Sequence, residues 1–415
     1  MRKTANRFLT LAAAPLLACA APLDAQTGNI GALMNAPIAI ERAAPVTSVP
    51  LEQRDGKYFL VASVDGIERE FVFDTGSPTI LSRELAEALE LEILGQNTGT
   101  DAHGAAVTMD IARTGTIALG DIVFRDVPVF VYDFGAMPLG RCFFDGGVLG
   151  SEIFAGSAWR IDAENGRLEI AESTDAISIA DDALTARLHD IGYPHAPVVD
   201  YAIGSQHDRA LFDTGSEVPL SLYAPLLTNP AVEDRLHAVQ RGRGSEGVSA
   251  GGRGAVVDLA RFRLSRIALG DSGISNIGGI SRSVPPTLLG AGLLDRFVVT
   301  LDYPGERFVL ESRAVPANTR PEPGYRLALV DDRVEVVQLF EGSAADDAGL
   351  RLEDRIIGID GRVVDVAGEQ DLCALVRFVS GRPFEARALS LEIDRDGSTV
   401  SLRIPAPESP AGAAR

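Results

Sequence analysis

Short apolar segments separated by glycine-containing turns dominate the chain beyond about its first fifty residues. One segment, residues 58–64, is followed by Asp65 and Gly66, a dipeptide typical of a two-residue hairpin turn, and then by a second segment that ends at Asp74. Helical periodicity is brief, with Ser82 as the N-cap of one short helix. The pattern predicts a mainly β fold.

The pentapeptide Phe-Asp-Thr-Gly-Ser occurs twice, at residues 73–77 and 212–216, and each copy follows an apolar segment. Further landmarks recur in the same order, at 117–121 and 267–271, 148–150 and 288–290, and 161–162 and 301–302. Several landmarks in one order indicate a duplicated domain. Two copies suit a pair of lobes related by a pseudo-twofold axis.

The repeat and the proline-rich stretches around it give the predicted division of the chain. The predicted segments are a leader (1–25), a linker or pro-segment (26–50), lobe 1 (51–172), an interlobe connection (173–196), lobe 2 (197–313), a second linker (314–323), a C-terminal unit (324–405) and a disordered tail (406–415).

Composition and charge limit the classes of function that this chain can have. Apolar residues make up 46% of the chain, which is ordinary for packed globular domains. The chain has 58 acidic and 38 basic residues, for a net charge of −20. This charge repels nucleic acid and anionic lipid surfaces, so we expect no nucleic-acid partner.

The leader has the pattern of an export signal. Arg2 and Lys3 precede an apolar run at 8–21, and Ala25 is a suitable cleavage point. We therefore expect a periplasmic or secreted protein. Cleavage before Cys19 would instead give a lipoprotein, and membrane attachment is expected only in that case.

The remaining cysteines, Cys142 and Cys373, fall in different predicted domains, so no disulfide framework is expected. Neither lies in a CxxC or metal-like cluster, and we expect both to be buried or inert rather than catalytic. The five histidines show no paired spacing. The sequence therefore predicts neither a metal site nor a cofactor.

The repeated turns supply the candidate chemistry through Asp74 and Asp213. Two carboxyl groups held close together retain one proton between them, so one acts as a base while the other acts as an acid. Such a pair can deprotonate a water molecule and protonate a carbonyl oxygen.

The neighbouring residues suit the same task. Glycines allow the turns to approach closely, threonines can tie one turn to the other, and serines can donate to the carboxylates. These supporting residues are Thr75, Gly76, Ser77, Thr214, Gly215 and Ser216. The alternative is that each copy is merely a surface turn made of turn-forming residues, an interpretation weakened by the second copy in matching surroundings.

The two turns and the triplets at 148–150 and 288–290 resemble the pepsin and retropepsin superfamily of aspartic proteases. The resemblance spans roughly residues 57–312. It implies two duplicated β-barrel lobes, a peptide-binding cleft between them, Asp74 and Asp213 as the catalytic pair, and a water nucleophile. Fusion of the lobes implies a protease active as a single chain.

Two flaps over the cleft are expected from the same resemblance. Residues 247–254 are similar to the glycine-rich flap of retropepsins, and the equivalent in lobe 1 lies near 100–104. The tyrosine that pepsin-like enzymes carry on the first flap is missing from residues 95–115. The substrate-binding flap residues are predicted to be His103, Gly104, Gly251 and Gly252.

The C-terminal unit resembles a PDZ domain of the permuted bacterial kind that accompanies exported proteases. The resemblance rests on residues 341–345, 348–350 and 353–361. It implies peptide capture by strand addition, with a carboxylate-binding loop made of Gly324, Tyr325, Arg326 and Leu327. Because this loop departs from the usual Gly-Leu-Gly-Phe type, a purely structural role stays open.

The resulting hypothesis is an exported aspartic endopeptidase that cleaves polypeptides and uses its PDZ-like unit to recruit them. One alternative is a catalytically inactive peptide-binding adaptor on the same fold. Another is a glycosidase with two acidic residues, for which aromatic residues, at 6%, are scarce.

Overall fold

The computed structural model describes residues 27–137, 140–313, 323–330, 333–364, 369–380 and 387–407. The predicted leader with Cys19, nearly all of the second linker and most of the predicted tail lie outside these ranges. The chain is mainly β, which confirms the predicted fold class. Within the described ranges, every helix is too short or too polar to cross a membrane.

Lobe 1 is built around a sheet in which β3, β4, β5, β6, β7, β8, β9 and β10 are joined, with β1 on its edge. The elements up to residue 171 are α1 (Thr27–Met34), β1 (Ala39–Arg42), β2 (Val46–Pro50), β3 (Glu52–Arg54), β4 (Lys57–Val64), β5 (Ile67–Phe73), β6 (Ile80–Ser82), α2 (Arg83–Ala88), β7 (Gly95–Thr100), β8 (Ala106–Leu119), β9 (Ile122–Tyr132), α3 (Gly140–Phe143), β10 (Gly147–Leu149), β11 (Ala158–Asp162) and β12 (Arg167–Ala171).

Lobe 2 has a similar order of strands, with the short strands β18 and β19 added and with no counterpart of α3 among its described residues. Its elements are β13 (Leu184–His189), β14 (Val198–Ile203), β15 (Gln206–Asp213), β16 (Leu220–Tyr223), α4 (Pro230–Glu233), β17 (Leu236–Ser245), β18 (Val248–Ser249), β19 (Gly252–Arg253), β20 (Val256–Leu269), β21 (Ser272–Arg282), β22 (Thr287–Gly290), β23 (Phe297–Asp302) and β24 (Arg307–Ser312). In lobe 1, β5 runs parallel to β10, and in lobe 2, β15 runs parallel to β22. This equivalent pairing holds the two Asp-Thr-Gly-Ser turns on equivalent strand ends.

Six antiparallel strands connect the lobes, in the order β2-β12-β11-β23-β24-β13. Trp159 is fully buried on β11, with its ring stacked on Phe124 and its indole N–H donated to the carbonyl of Phe154. Trp159 is therefore part of the hydrophobic core.

Residues 26–50 differ from the expected linker or pro-segment, because residues 46–50 form β2 of the six-stranded sheet. The partner of β2 is β12, more than a hundred residues further along the chain. A five-residue strand with a distant partner has no local turn or hairpin signal. The interlobe connection is likewise more regular than expected, since it contributes β13 to the same sheet.

The C-terminal unit has a hydrophobic core of its own. Its elements are β25 (Tyr325–Val330), β26 (Arg333–Phe340), α5 (Ala344–Asp347), β27 (Arg355–Ile359), β28 (Arg362–Val363), α6 (Glu369–Ser380), β29 (Leu389–Arg395) and β30 (Ser398–Ile404). The end of β26 pairs antiparallel with β17 of lobe 2, so that Gly242 faces Phe340 and Gly244 faces Gln338. The unit therefore extends the sheet of lobe 2.

A disulfide bond joins Cys142 of α3 to Cys373 of α6, which corrects the expectation that these cysteines are unpaired. The two residues are separated by 231 positions in the sequence and belong to different folding units. Spacing alone carries no information on such a pairing. The bond fixes the C-terminal unit to lobe 1, while strand pairing fixes it to lobe 2.

Candidate active site

Asp74 and Asp213 occupy equivalent positions at the ends of β5 and β15. The backbone N–H of Asp74 donates to the carbonyl of Leu149, on the parallel strand β10, at 3.1 Å. The N–H of Gly76 donates to the carboxylate of Asp74 at 3.0 Å, and that of Gly215 donates to Asp213 at 2.8 Å. Each carboxyl group is therefore oriented by its own turn.

The two glycines let the carboxyl groups of the two turns approach each other. A Cβ atom on Gly76 would lie 2.6 Å from Cγ of Asp213, and one on Gly215 would lie closer still to Oδ2 of Asp74. Any larger residue would push a carboxyl group out of place. With glycine at both positions, Asp74 and Asp213 are within hydrogen-bonding distance of each other.

Thr75 and Thr214 join the two turns, as their sequence positions predict. The hydroxyl of Thr75 donates to the carbonyl of Phe212 at 2.7 Å and accepts the N–H of Thr214 at 3.1 Å. The hydroxyl of Thr214 donates to the carbonyl of Phe73 at 2.8 Å and accepts the N–H of Thr75 at 3.0 Å. Both threonines are fully buried. The four bonds fix the distance between the strands that carry the acids.

The serines differ from the prediction. The hydroxyl of Ser77 donates to the carbonyl of Pro78 at 2.9 Å, and that of Ser216 lies 3.5 Å from the hydroxyl of Ser221. Neither serine donates to a carboxylate of the pair. Both turns fold back on themselves at this point, so the serine side chains face their own loops.

Burial and the neighbouring Asp213 carboxylate raise the pKa of Asp74 to about 7. A close pair in a desolvated site holds one proton because a second negative charge is repelled there. Over the acidic range up to near neutral pH, the pair therefore contains one acid and one base at the same time.

Lys57, at the start of β4, is a charged neighbour that the sequence interpretation missed. Its ammonium group donates to the carbonyl of Gly215 in the opposite turn. Its positive charge lowers the pKa of Asp74, against the larger effects of burial and Asp213. Lys57 thus connects lobe 1 to the second Asp-Thr-Gly-Ser turn and stabilises the ionised form of the pair.

Replacing Lys57 with Met is expected to move the pH profile of activity. Loss of the positive charge raises the pKa of Asp74. Both limbs of the plot of kcat/KM against pH should therefore move to higher pH, by about 0.5–1 pH unit. Lys57→Arg should keep the limbs near their original positions. A uniform loss of kcat/KM at every pH, with unmoved limbs, would mean that Lys57 acts only as a structural tie.

Glu152 lies behind the first turn, in a position that corresponds to Gly292 of lobe 2. Its carboxyl group accepts the N–H of Thr79 at 2.5 Å and the hydroxyl of Tyr193 at 3.5 Å. Burial raises the pKa of Glu152 to about 7. Because the folded state holds this proton more tightly than the unfolded chain, Glu152 destabilises the fold progressively as the pH rises from about 4 to 7.

The predicted flaps are two hairpin regions whose tips meet. His103 and Gly104 lie between β7 and β8, and Gly251 and Gly252 lie at the turn between β18 and β19. The imidazole of His103 packs against Gly247 and Gly254 of the second flap.

Asp101 holds the tips together, and sequence analysis did not single it out. Its carboxylate accepts the N–H of Gly251 at 3.0 Å and the hydroxyl of Ser249. The hydroxyl of Tyr132, from the end of β9, donates to the carbonyl of Ala250 at 2.8 Å. A tyrosine therefore contacts the second flap, although neither flap contains one.

The predicted carboxylate-binding loop lies apart from the paired acids, at the contact between the C-terminal unit and lobe 2. Gly324 packs against Ser343, while Tyr325 and Leu327 are buried in the unit's core. Arg326 forms an ion pair with Glu217 at 2.7 Å. Glu217 directly follows the second Asp-Thr-Gly-Ser turn, so this loop is linked to the segment that carries Asp213.

The residues that sequence analysis missed had weak signals. Glu152 could have been singled out from the repeat, because it places a carboxyl group where the equivalent position in lobe 2 is a glycine. Lys57 precedes an ordinary strand, and the partner of Asp101 lies 150 residues away. Only folding brings these groups to the cleft.

Comparisons with known proteins agree with the geometry of lobe 1. A family model described as "Aspartyl protease" matches residues 60–153. The solved structures that match include the crystal structure of an aspartic proteinase from Irpex lacteus, with a TM-score of 0.41, 13% identity, and coverage of 66% of this chain and 99% of that one. A search of curated proteins gave no match. Residues 60–153, which contain Asp74 and the first flap, are therefore similar in sequence to the aspartyl protease family.

Proposed function

We propose that this protein is an exported aspartic endopeptidase that hydrolyses peptide bonds of polypeptide substrates. The observation that carries the proposal is the close pair of Asp74 and Asp213, each held by a glycine N–H and both fixed by the threonine bonds. Each Asp-Thr-Gly-Ser turn supplies one carboxyl group of the pair. The two turns therefore act as one composite site.

The proposed reaction needs only the shared proton and one water molecule. The ionised carboxylate removes a proton from the water, whose oxygen attacks the scissile carbonyl carbon, while the other carboxyl group protonates the carbonyl oxygen. The resulting tetrahedral diol collapses when the leaving nitrogen receives a proton and the C–N bond breaks. The pair regains its single proton at the end of the cycle.

The flaps support a polypeptide substrate. The tips meet through the Asp101 contacts. We propose that they close over the paired acids, where they would shield an extended chain from solvent. Removal of water strengthens electrostatic interactions at the reacting groups. Opening of the Asp101 contacts would admit the chain, and their closure would hold it over the acids.

The disulfide between Cys142 and Cys373 supports export, because such bonds persist in oxidising compartments. We propose a periplasmic or secreted location, directed by the leader. Lipidation at Cys19 remains the alternative, and it would place the same domains at a membrane surface.

The C-terminal unit is proposed to be PDZ-like and to recruit or position protein substrates. Its attachment supports this role, because β26 pairs with β17, the strand that leads into the second flap. The unit is therefore fixed next to the strand that leads into the second flap. The pairing of Arg326 with Glu217 equally suits a structural role for the Gly324–Leu327 loop.

The test is digestion of a peptide library by the purified protein, over about pH 3 to 8. We expect cleavage within the peptides, inhibition by pepstatin, and loss of activity as the pH rises through neutrality. Binding of peptides without cleavage at any pH would favour the adaptor, and hydrolysis of glycosides instead of peptides would favour the glycosidase.

A further inference from the structure

Arg282 connects lobe 2 to the tip of the first flap. It is the last residue of β21, half-buried and close enough to Asp213 to interact with its charge. Its Nη2 donates to the carbonyl of Ala102 at 3.1 Å, and its Nε donates to the carbonyl of Val284. The guanidinium group is therefore held at the edge of the cleft, where flap 1 meets lobe 2.

The charge of Arg282 has no carboxylate bonded to it among the described residues. Its two hydrogen bonds both go to carbonyl groups. Asp213 and Glu246 act on it only through longer-range attraction, and burial lowers the pKa of Arg282 despite them. Of the five N–H donors of an arginine, three are left for another partner.

Glu246, whose charge acts on Arg282 less strongly than that of Asp213, is already occupied. Its two carboxylate oxygens accept the N–H and the hydroxyl of Ser283, at 2.5 and 2.7 Å. His103 is a second basic side chain that interacts with Arg282, and burial lowers its pKa. It is therefore uncharged at neutral pH and does not compete with Arg282 for a carboxylate.

We propose that Arg282 is a specificity-determining residue that binds the carboxylate of an Asp or Glu side chain in the substrate, close to the scissile bond. This inference rests on the proposed peptidase function. A guanidinium group can donate two parallel hydrogen bonds to one carboxylate, and closure of the flaps would remove water from that pair. Arg282 is proposed to select an acidic side chain within the substrate, and not the carboxylate at the substrate's C-terminus.

The test uses matched peptides that differ by one residue. A quenched fluorescent peptide that the wild-type protein cleaves is remade with Glu, and separately with Gln, at each of the positions flanking the cleaved bond. At one position the ratio of kcat/KM for the Glu peptide to that for the Gln peptide is expected to be on the order of 10- to 100-fold. In Arg282→Gln this ratio should fall to about 1, and Arg282→Lys should retain part of it.

Arg263→Gln is the matched control, because it removes a positive charge from the same lobe at a hairpin contact with Asn276. It should keep the wild-type ratio. If Arg282 only supports the flap, Arg282→Gln will lower kcat/KM for both peptides equally, and the unchanged ratio would overturn the inference. A wild-type ratio near 1 at every position would also overturn it.

Failure of the proposed function would look different, since no peptide would be cleaved at all. The same Glu and Gln peptides, built on a library peptide that binds, would then be compared by calorimetric titration. Tighter binding of the Glu peptide, lost in Arg282→Gln, would support the carboxylate site. Equal affinities would reject it.

Discussion

Asp74→Asn and Asp213→Asn are each expected to reduce kcat by at least about 10³-fold while leaving the protein folded. Asparagine has nearly the shape of aspartate, so the bonds from Gly76 and Gly215 can persist. An amide can neither take a proton from water nor share one with the remaining carboxyl group. The measurement is kcat/KM on a quenched peptide, with folding followed by circular dichroism.

The stability of Asp74→Asn provides an independent sign of the paired site. The pKa of Asp74 is about 7 in the fold, well above that of an unfolded aspartate. The folded state therefore loses stability as the pH rises from about 4 to 7, and the amide removes this loss. We expect the variant to be more stable than the wild type at pH 7, by on the order of 1–3 kcal/mol, and nearly equal to it at pH 4.

Asp121→Asn and Asp271→Asn are the matched controls. These aspartates also recur in the repeat, but they are exposed in the hairpin turns after β8 and β20. They should retain full activity. Substantial cleavage by a doubly substituted Asp74 and Asp213 variant, insensitive to pepstatin, would reject the catalytic pair.

The features that could be predicted from sequence are those that the duplication repeats. A turn that occurs twice, with an apolar triplet at nearly the same distance after each copy, identifies Asp74 and Asp213 as partners before their contact is seen. Local rules also succeed where the interaction is local, since the side chain of Ser82 accepts the N–H of Leu85 as an N-cap should. The positions near 103 and 251 followed from aligning one lobe with the other.

What could not be predicted depends on contacts between distant parts of the chain. The strand at 46–50 forms through its pairing with β12. The disulfide bond of Cys142 likewise depends on the fold, which places it opposite Cys373. Arg282 is an ordinary strand residue until flap 1 lies against it. Charged residues and single cysteines form no periodic pattern in the sequence. Only the fold therefore shows which of them are in contact.

The double substitution of Thr75 and Thr214 by Val is expected to cause the largest loss of stability. Each hydroxyl makes two hydrogen bonds in a fully buried site, and valine keeps the shape but loses all four. Two backbone N–H groups and two carbonyl groups would be left unsatisfied. At about 1–3 kcal/mol for each single change, the pair should cost about 2–6 kcal/mol.

Activity should fall with stability, because these bonds set the separation of the strands that carry the acids. A displacement of about 1 Å at a reacting group costs on the order of 10²-fold in rate. Ser in place of each Thr should restore most of both losses, since it keeps the hydroxyl groups. The matched control is Thr98→Val with Thr108→Val, an exposed pair whose hydroxyls lie 2.8 Å apart. If urea unfolding gave the same free energy for both double variants, the bonds between the turns would have no special part in holding the catalytic pair together.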